Sequence, residues 1–312
     1  MRTTFAFGIA LGLLSASGFS ATPRVLIVGI DGCRPDALQA AETPHLDALI
    51  AGGMWFDGTD IREPNATDDA DTVSGPGWSN LLTGVWPDKH NVIDNKFTAP
   101  RYDRYPHVFA RLKAARPAAV TASFSTWQPI HERIVSGADV SRDFSDDTKD
   151  WPRFDRAAIE ACVQYLGTAD PDLTVLYQGQ VDETGHAHGF HPSVPEYIAA
   201  IETVDRSLGD VLAAMRARDG AVSEDWLVIV CTDHGGIELN HGGGRDKPEV
   251  RSTFLIVSGA SAERGTSDQP TYQVDVVATA LTHLGVRLRP EWELDGRAVG
   301  LKSTAAASAR SP

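Results

Sequence analysis

Short apolar runs alternate with stretches of helical periodicity along most of the chain. RVLIVGID (24–31), AVTASFS (119–125), DLTVLYQGQVD (172–182), DWLVIVCTD (225–233) and STFLIVSG (252–259) are almost continuously apolar, as strands buried on both faces are. Between them, TPHLDALIAGG has a threonine cap, a proline in the first turn and a glycine stop, and is expected to be helical. VPEYIAAIETVDRSLGDVLAAMRAR carries Ile198, Ile201, Val204, Leu208, Val211, Leu212 and Met215 at helical spacing. The pattern predicts an α/β fold: one mostly parallel sheet with helices on both sides and no internal repeat.

The N-terminal stretch MRTTFAFGIALGLLSASGFSA joins an early arginine to a short apolar run and then small residues, the layout of a secretory signal peptide cleaved near Ser20 or Ala21. Residues 1–21 are therefore set apart from the fold. Residues 22–302 are expected to form a single domain, since no linker rich in Pro, Gly or Ser divides them, and 303–312 a disordered tail. No other stretch reads as a membrane span, which points to a periplasmic or secreted protein. The formal net charge of −14 disfavours binding to duplex nucleic acid or an anionic membrane; a small anionic substrate would need local positive charge, such as metal ions. Cys33, Cys162 and Cys231 fit neither a disulfide framework nor a zinc ribbon. Cys33 and Cys231 follow strand-like runs and could approach each other, but all three are expected as buried free thiols.

Three of the strand-like runs finish on aspartate: Asp31, Asp182 and Asp233, the last followed at once by His234. Ligands of open α/β sheets bind beyond the carboxyl ends of the strands, so these aspartates are expected to converge there. His186 and His241 follow closely, and carboxylates mixed with imidazoles suit zinc or a similar ion. Taken singly, each aspartate reads as a turn or helix cap and each histidine as a loop residue. The set is harder to explain as unrelated caps.

VGIDGCRPDAL, SGPGWSNLLTGVWPDKHNV, QVDETGHAHG, CTDHGG and HGGGRDKPEVRSTFLIVSG resemble, in that order, the signature segments of the alkaline phosphatase superfamily. The type I phosphodiesterase/nucleotide pyrophosphatase branch is the most similar. QVDVVATALTHLGV and ELDGRAVG look like the last helix and strand of that fold. The resemblance runs from about residue 24 to 300 and implies a three-layer α/β/α sandwich.

It also implies chemistry. The family nucleophile opens a helix ten residues before the glycine of a TG pair, with proline two residues after it; counting back from Gly84 gives Ser74, followed by Pro76. Backbone N–H groups at a helix start would favour its alkoxide. Thr72 and Ser79 are rival hydroxyls out of that register, and Ser74 could instead simply cap the helix. Two divalent ions are implied, zinc first and manganese as the alternative. Asp182, His186 and His241 would hold one; Asp31, Asp233, His234 and the Ser74 oxygen the other. His188 and His191 are nearby decoys by spacing. Asn95 matches a phosphate-binding asparagine and, with the Gly75 N–H, would form an oxyanion hole; its ordinary reading is a turn residue.

The implied reaction is hydrolysis of a small phosphate ester through a phosphoserine intermediate. A neutral amide at Asn95 suits a diester, whereas a monoester dianion usually receives a cationic partner, for which Lys96, Arg101, Arg104 and Arg245 are candidates. A monoesterase, a phosphonate hydrolase or a sulfatase of the same superfamily are the alternatives, although a sulfatase would have arginine where Trp78 stands. An inactive phosphate- or metal-binding protein is the non-enzyme reading. Segments 54–73 and 97–117 are expected as pocket walls, with Trp55, Trp78, Trp86, Tyr102, Tyr105 and Trp127 as candidates for stacking on a leaving group.

Overall fold

The architecture is given by a computed structural model that describes residues 21–63 and 65–303. The expected signal peptide, apart from Ala21, and the expected tail after Ser303 lie outside the described residues. Eight strands, β1 (Thr22–Ile30), β2 (Gly53–Asp60), β3 (Thr121–Ser125), β4 (Val140–Asp143), β5 (Leu173–Gln178), β6 (Glu224–Cys231), β7 (Ser252–Gly259) and β8 (Gly265–Thr266), form one sheet in the order β4-β3-β5-β1-β6-β7-β2-β8. β7 runs antiparallel to both β6 and β2, and the other pairings are parallel.

The α-helices are α1 (Pro35–Ala40), α2 (Pro44–Gly52), α3 (Ser74–Thr83), α4 (Pro87–His90), α5 (Val108–Ala115), α6 (Trp151–Leu166), α7 (Gln180–His188), α8 (Pro195–Arg216), α9 (Pro248–Arg251) and α10 (Asp275–His283). Side-chain alternation along the strands divides the core in two. Val25 and Ile27 of β1 pack with Leu81 and Leu82 of α3, Val108 and Leu112 of α5, and Val277 and Leu281 of α10. Leu26 and Val28 face the other way, towards Leu46 of α2, Ile159 of α6, and Ile201 and Leu208 of α8. The result is the α/β/α sandwich that the sequence implies.

Four expectations change. The run 172–182 is not one strand: β5 stops at Gln178, and α7 begins at Gln180, so Asp182 lies in a first helical turn. Residues 54–60 of the expected pocket wall lie instead in β2, an inner strand between β7 and β8. Residues 293–300 form no strand; only Leu301 makes an isolated bridge, to Ala262. Thr43 precedes α2, yet its hydroxyl bonds the Asp47 carboxylate and not a backbone N–H. The three cysteines are free and buried, as expected.

β1 is flanked by β5 on one side and β6 on the other, and all three run parallel. Their carboxyl ends therefore open onto the same edge of the sheet, and the segments that follow carry the candidate chemistry.

Candidate active site

Each acidic candidate is delivered by one of these three central strands. Asp31 is the residue after β1, Asp233 lies two residues beyond β6, and Asp182 lies on α7, four residues beyond β5. On that helix Asp182 and His186 stand four apart and so share a face. The α7 N-terminus is tied down by Asp155 of α6, whose carboxylate accepts from the Gly179 and Gln180 N–H groups at 3.0 Å each. Sequence reading did not single out Asp155.

Two groups result. In the first, His186 Nε2 lies 3.4 Å from Asp182 Oδ2 and 3.0 Å from His241 Nε2, and His241 Nε2 lies 3.6 Å from Asp182 Oδ1. In the second, His234 Nε2 is 3.2 Å from Asp233 Oδ2 and 3.6 Å from Asp31 Oδ1. The groups adjoin: the His234 and His241 rings stack with centroids 3.7 Å apart. Gly32 joins them from the backbone. Its N–H donates to Asp233 Oδ1 at 3.2 Å, and it adopts φ +64°, where an added Cβ would fall 2.5 Å from Asp182 Oδ1.

The donor set fits cations on three grounds. Ligands held tetrahedrally at about 2.0–2.1 Å from an ion stand about 3.3 Å from one another, close to the separations above. Asp31 Oδ1, Asp182 Oδ1, Asp233 Oδ2 and His234 Nε2 are buried with no hydrogen-bond partner, an arrangement that costs free energy unless something positive meets them. Finally, the opposite atom of the candidate ligands Asp31, His186, His234 and His241 is already fixed. His186 Nδ1 bonds the Leu239 carbonyl at 2.9 Å, His241 Nδ1 that of Thr72 at 2.7 Å and His234 Nδ1 that of Gly235 at 3.0 Å, which leaves each Nε2 as the lone-pair atom. Asp31 Oδ2 accepts from Trp78 Nε1 at 2.8 Å and Tyr177 Oη at 2.5 Å, which leaves Oδ1.

Electrostatics point the same way. Burial, followed by the Asp182 charge, raises the Asp31 carboxyl above its usual range, and burial with Asp31 and Asp182 raises Asp233 well above it. The hydrogen bond to Asp182 raises His186 to about 9, whereas burial lowers His241 to about 3. His188 and His191 are exposed and belong to neither group.

Ser74 is the first residue of α3. Three residues on, Gly77 packs directly on the second group, where an added Cβ would lie 2.8 Å from Asp233 Cβ. The rival hydroxyls are engaged: Thr72 Oγ1 donates to the His241 carbonyl, and Ser79 Oγ to the Gly75 carbonyl at 2.6 Å. Ser74 is buried, and its hydroxyl has no partner among the described residues. The Gly75 N–H donates to Asn95 Oδ1 at 2.6 Å, so it is engaged by the asparagine, and the Asn95 Nδ2 group is the donor left to a ligand.

Several stacking candidates prove unavailable. Trp55, Trp78 and Tyr105 are buried, and Tyr102 and Trp127 are half-buried, with Trp127 stacked on Tyr177, whereas Trp86 lines a cavity with Thr72, Pro76 and Asp233. Trp78 instead lies under Gly29 of β1 and serves Asp31. The signal that could have marked Tyr177 is a phenol in a buried, otherwise mostly aliphatic strand, which needs a partner for its hydroxyl.

A sequence model of the type I phosphodiesterase / nucleotide pyrophosphatase family matches residues 25–276. The chain belongs to this family. It is 25% identical over 255 residues to human (Homo sapiens) ectonucleotide pyrophosphatase/phosphodiesterase family member 7, a match covering 73% of the chain and 52% of that protein. It is 24% identical over 248 residues to human bis(5'-adenosyl)-triphosphatase, covering 73% and 51% respectively. The chain thus spans about half the length of the curated relatives it matches. Among solved structures, an inactive variant of murine ectonucleotide pyrophosphatase / phosphodiesterase 5 in complex with AMP superposes with a TM-score of 0.66 at 15% identity, covering 86% of this chain and 96% of that one, which shows a shared fold. No helix of the described residues is long and apolar enough to cross a membrane.

Proposed function

We propose that this chain is an exported hydrolase of small phosphoric diesters or nucleotide pyrophosphates, with Ser74 as its nucleophile. The observation that carries the reading is the pair of adjoining groups, Asp182/His186/His241 and Asp31/Asp233/His234, with an unengaged serine hydroxyl at the start of the helix packed against the second. Asp31, Asp233, His234 and Ser74 would hold one zinc-type ion, and Asp182, His186 and His241 the other. When bound, such ions favour the ionised forms of a hydroxyl and a water and neutralise phosphoryl oxygens.

The residues of the chain then do the following. Ser74 Oγ gives up its proton and attacks phosphorus in line, so that a P–O bond to the serine forms, the bond to the leaving group breaks, and the proton ends on the departing alcohol oxygen. The Asn95 Nδ2 group, with the positive end of the α3 dipole behind it, orients a non-bridging oxygen. Water then cleaves the phosphoserine, releases the remaining monoester and returns the proton to Ser74. The bond from Gly75 to Asn95 Oδ1 fixes the orientation of that amide.

A diester is favoured because the cationic candidates for a monoester each have a partner of their own. Arg104 pairs with Glu293, Arg245 is held by the Asp68 and Ala70 carbonyls, Arg101 reaches the Asp88 carbonyl, and Lys96 is 84% exposed beside Asp94. The names of the relatives, a bis(5'-adenosyl)-triphosphatase and an AMP complex, support a nucleotide substrate. Trp78, buried where a sulfatase would have arginine, argues against sulfate esters.

The test is kcat/KM of the zinc-loaded protein on bis-p-nitrophenyl phosphate, p-nitrophenyl phosphate and p-nitrophenyl sulfate. A diester preference, lost about 10³-fold or more in Ser74→Ala and after chelation, is expected. Turnover that survives Ser74→Ala refutes the nucleophile; a monoester or sulfate preference refutes the substrate class.

A further inference from the structure

The segment that carries Asp233 and the helix that begins at Ser74 are joined by a chain of buried side chains. Asn80 of α3, Gln273 just before α10 and His90 at the end of α4 are each 3% exposed or less. The Val92 N–H donates to His90 Nδ1 at 3.0 Å, so the imidazole proton sits on Nε2, which donates to Asn80 Oδ1 at 2.8 Å. Asn80 Nδ2 donates to Gln273 Oε1 at 3.1 Å, and Gln273 Nε2 donates to the Thr232 carbonyl at 3.3 Å and to the Asp233 carbonyl. The chain has one sense from end to end, because turning over either amide would set donor against donor and acceptor against acceptor. Burial lowers His90 to about 3, so the ring stays neutral and that sense is kept at neutral and alkaline pH. Gln273 is itself fixed by its backbone: its N–H donates to the Asp60 carbonyl at the end of β2, and its carbonyl accepts from the Val276 N–H.

Satisfying the Thr232 and Asp233 carbonyls, which lie beyond the end of β6, needs Gln273 alone. Asn80 and His90 add nothing to that, yet they carry the chain on to α3 and α4. What they add is position. Gly77 and Asn80 stand three apart on α3 and so share a face. Gly77 meets Asp233 by packing, which does little to resist a slide of the helix along its axis, whereas the hydrogen bond from Asn80 resists it through its direction. Ser74 lies on the same helix, about 9 Å before Asn80 at the usual rise per residue, so a slide at Asn80 is passed on to its hydroxyl. Fully satisfied buried polar chains of this kind rigidify what they join.

We propose that Asn80 and Gln273 are positioning residues: the chain from His90 to Asp233 sets where Ser74 stands along the helix axis relative to the Asp31/Asp233/His234 group. The inference rests on the reading of Ser74 as nucleophile and of that group as a metal site. Gln273 holds the ligand segment, and Asn80 holds the helix to Gln273.

The test uses the full chain and two variants of similar shape, Asn80→Leu and Gln273→Met. Asn80→Leu frees α3 but leaves Gln273 on the Asp233 carbonyl. Its kcat on bis-p-nitrophenyl phosphate at saturating zinc should fall about 10–10²-fold, with KM within about twofold of the natural value. Its zinc affinity at the Asp31/Asp233/His234 group, by competition against a chelator, should be unchanged. Gln273→Met releases both partners, so its kcat should fall at least as far and its zinc affinity about tenfold. The double variant should have a kcat no lower than that of Gln273→Met, because both residues act through one chain. A natural kcat in Asn80→Leu, a zinc affinity lowered equally in both single variants or in neither, or a double variant whose loss is the product of the single losses would each overturn the proposal. Should Asn80→Leu fail to fold, Asn80→Ala, which leaves room for a water on His90 Nε2, carries the same comparison. If the natural protein leaves the ester intact, the nucleophile reading fails; the zinc affinities of the natural protein and Gln273→Met then still decide whether Gln273 holds Asp233 in place.

Discussion

Replacing Tyr177 by phenylalanine removes one oxygen from the shell behind Asp31 and little else. The phenol donates to Asp31 Oδ2 at 2.5 Å, and its ring packs edge-on to Trp78 at 5.0 Å and stacks on Trp127 at 6.2 Å, contacts that phenylalanine keeps. A hydrogen bond to an ionised acceptor contributes about 1.5–3 kcal/mol, equivalent to roughly 10–150-fold in an equilibrium constant. Trp78 Nε1 still donates to the same oxygen at 2.8 Å, so the lower part of that range is expected. Tyr177→Phe should therefore weaken zinc at the Asp31/Asp233/His234 group about 10–50-fold, a loss typical of removing a partner of a metal ligand. Competition against a chelator of known affinity measures this, with circular dichroism to check that the fold is retained. The kcat/KM of Tyr177→Phe should fall at limiting zinc and recover in excess zinc. Unchanged affinity would refute the view that Asp31 is a ligand tuned from behind by its hydrogen bonds.

The remaining expectations concern proton competition and packing. Asp182 raises His186 to about 9, so below that pH the metal-free protein holds a proton on His186 that zinc must displace. Affinity at the Asp182/His186/His241 group should rise about tenfold per pH unit up to about 9 and then flatten, with release of close to one proton, read by calorimetry in buffers of different ionisation enthalpy. His241, lowered to about 3, adds no competition near neutrality, and His186→Gln should remove the pH dependence. Gly77→Ala should push α3 away from the second group, because the new Cβ would meet Asp233 Cβ at 2.8 Å and its carbonyl oxygen at 3.0 Å. The expected result is a kcat/KM lower by about 10²-fold; full activity would show that α3 and Asp233 can separate without consequence.

β1, β5, β6 and β7 were legible because they are apolar on both faces and have few other interpretations. β2 was hidden by Asp57 and Gly58, which sit where its register with β7 shifts and break the apolar run. β4 is a largely exposed edge and β8 only two residues long, so neither carries a hydrophobic pattern. The course of the chain at Asp182 was misread because Val181 extends the apolar look of β5, although that side chain is buried from a helix and not from the sheet. The two ligand groups could be named from motif order, and the structure brings their members together. The supporting donors Tyr177 and Trp78 and the Asp155 cap could not, since each acts through a long-range contact with no local signature.

The position of β1, with three strands on one side and four on the other, has a consequence for how such a protein can diversify. Strands in the middle of a sheet are the last to open in local fluctuations, and Asp31, Asp182 and Asp233 are all rooted in β1 and its two immediate neighbours. In amide exchange these roots should be the slowest of the chain, while β4 and β8 fray at the edges. Stretches such as 65–69 and 98–104 are exposed or half-buried and lie outside that slow-exchanging centre. They can lengthen, shorten or change composition while the two groups keep their shape.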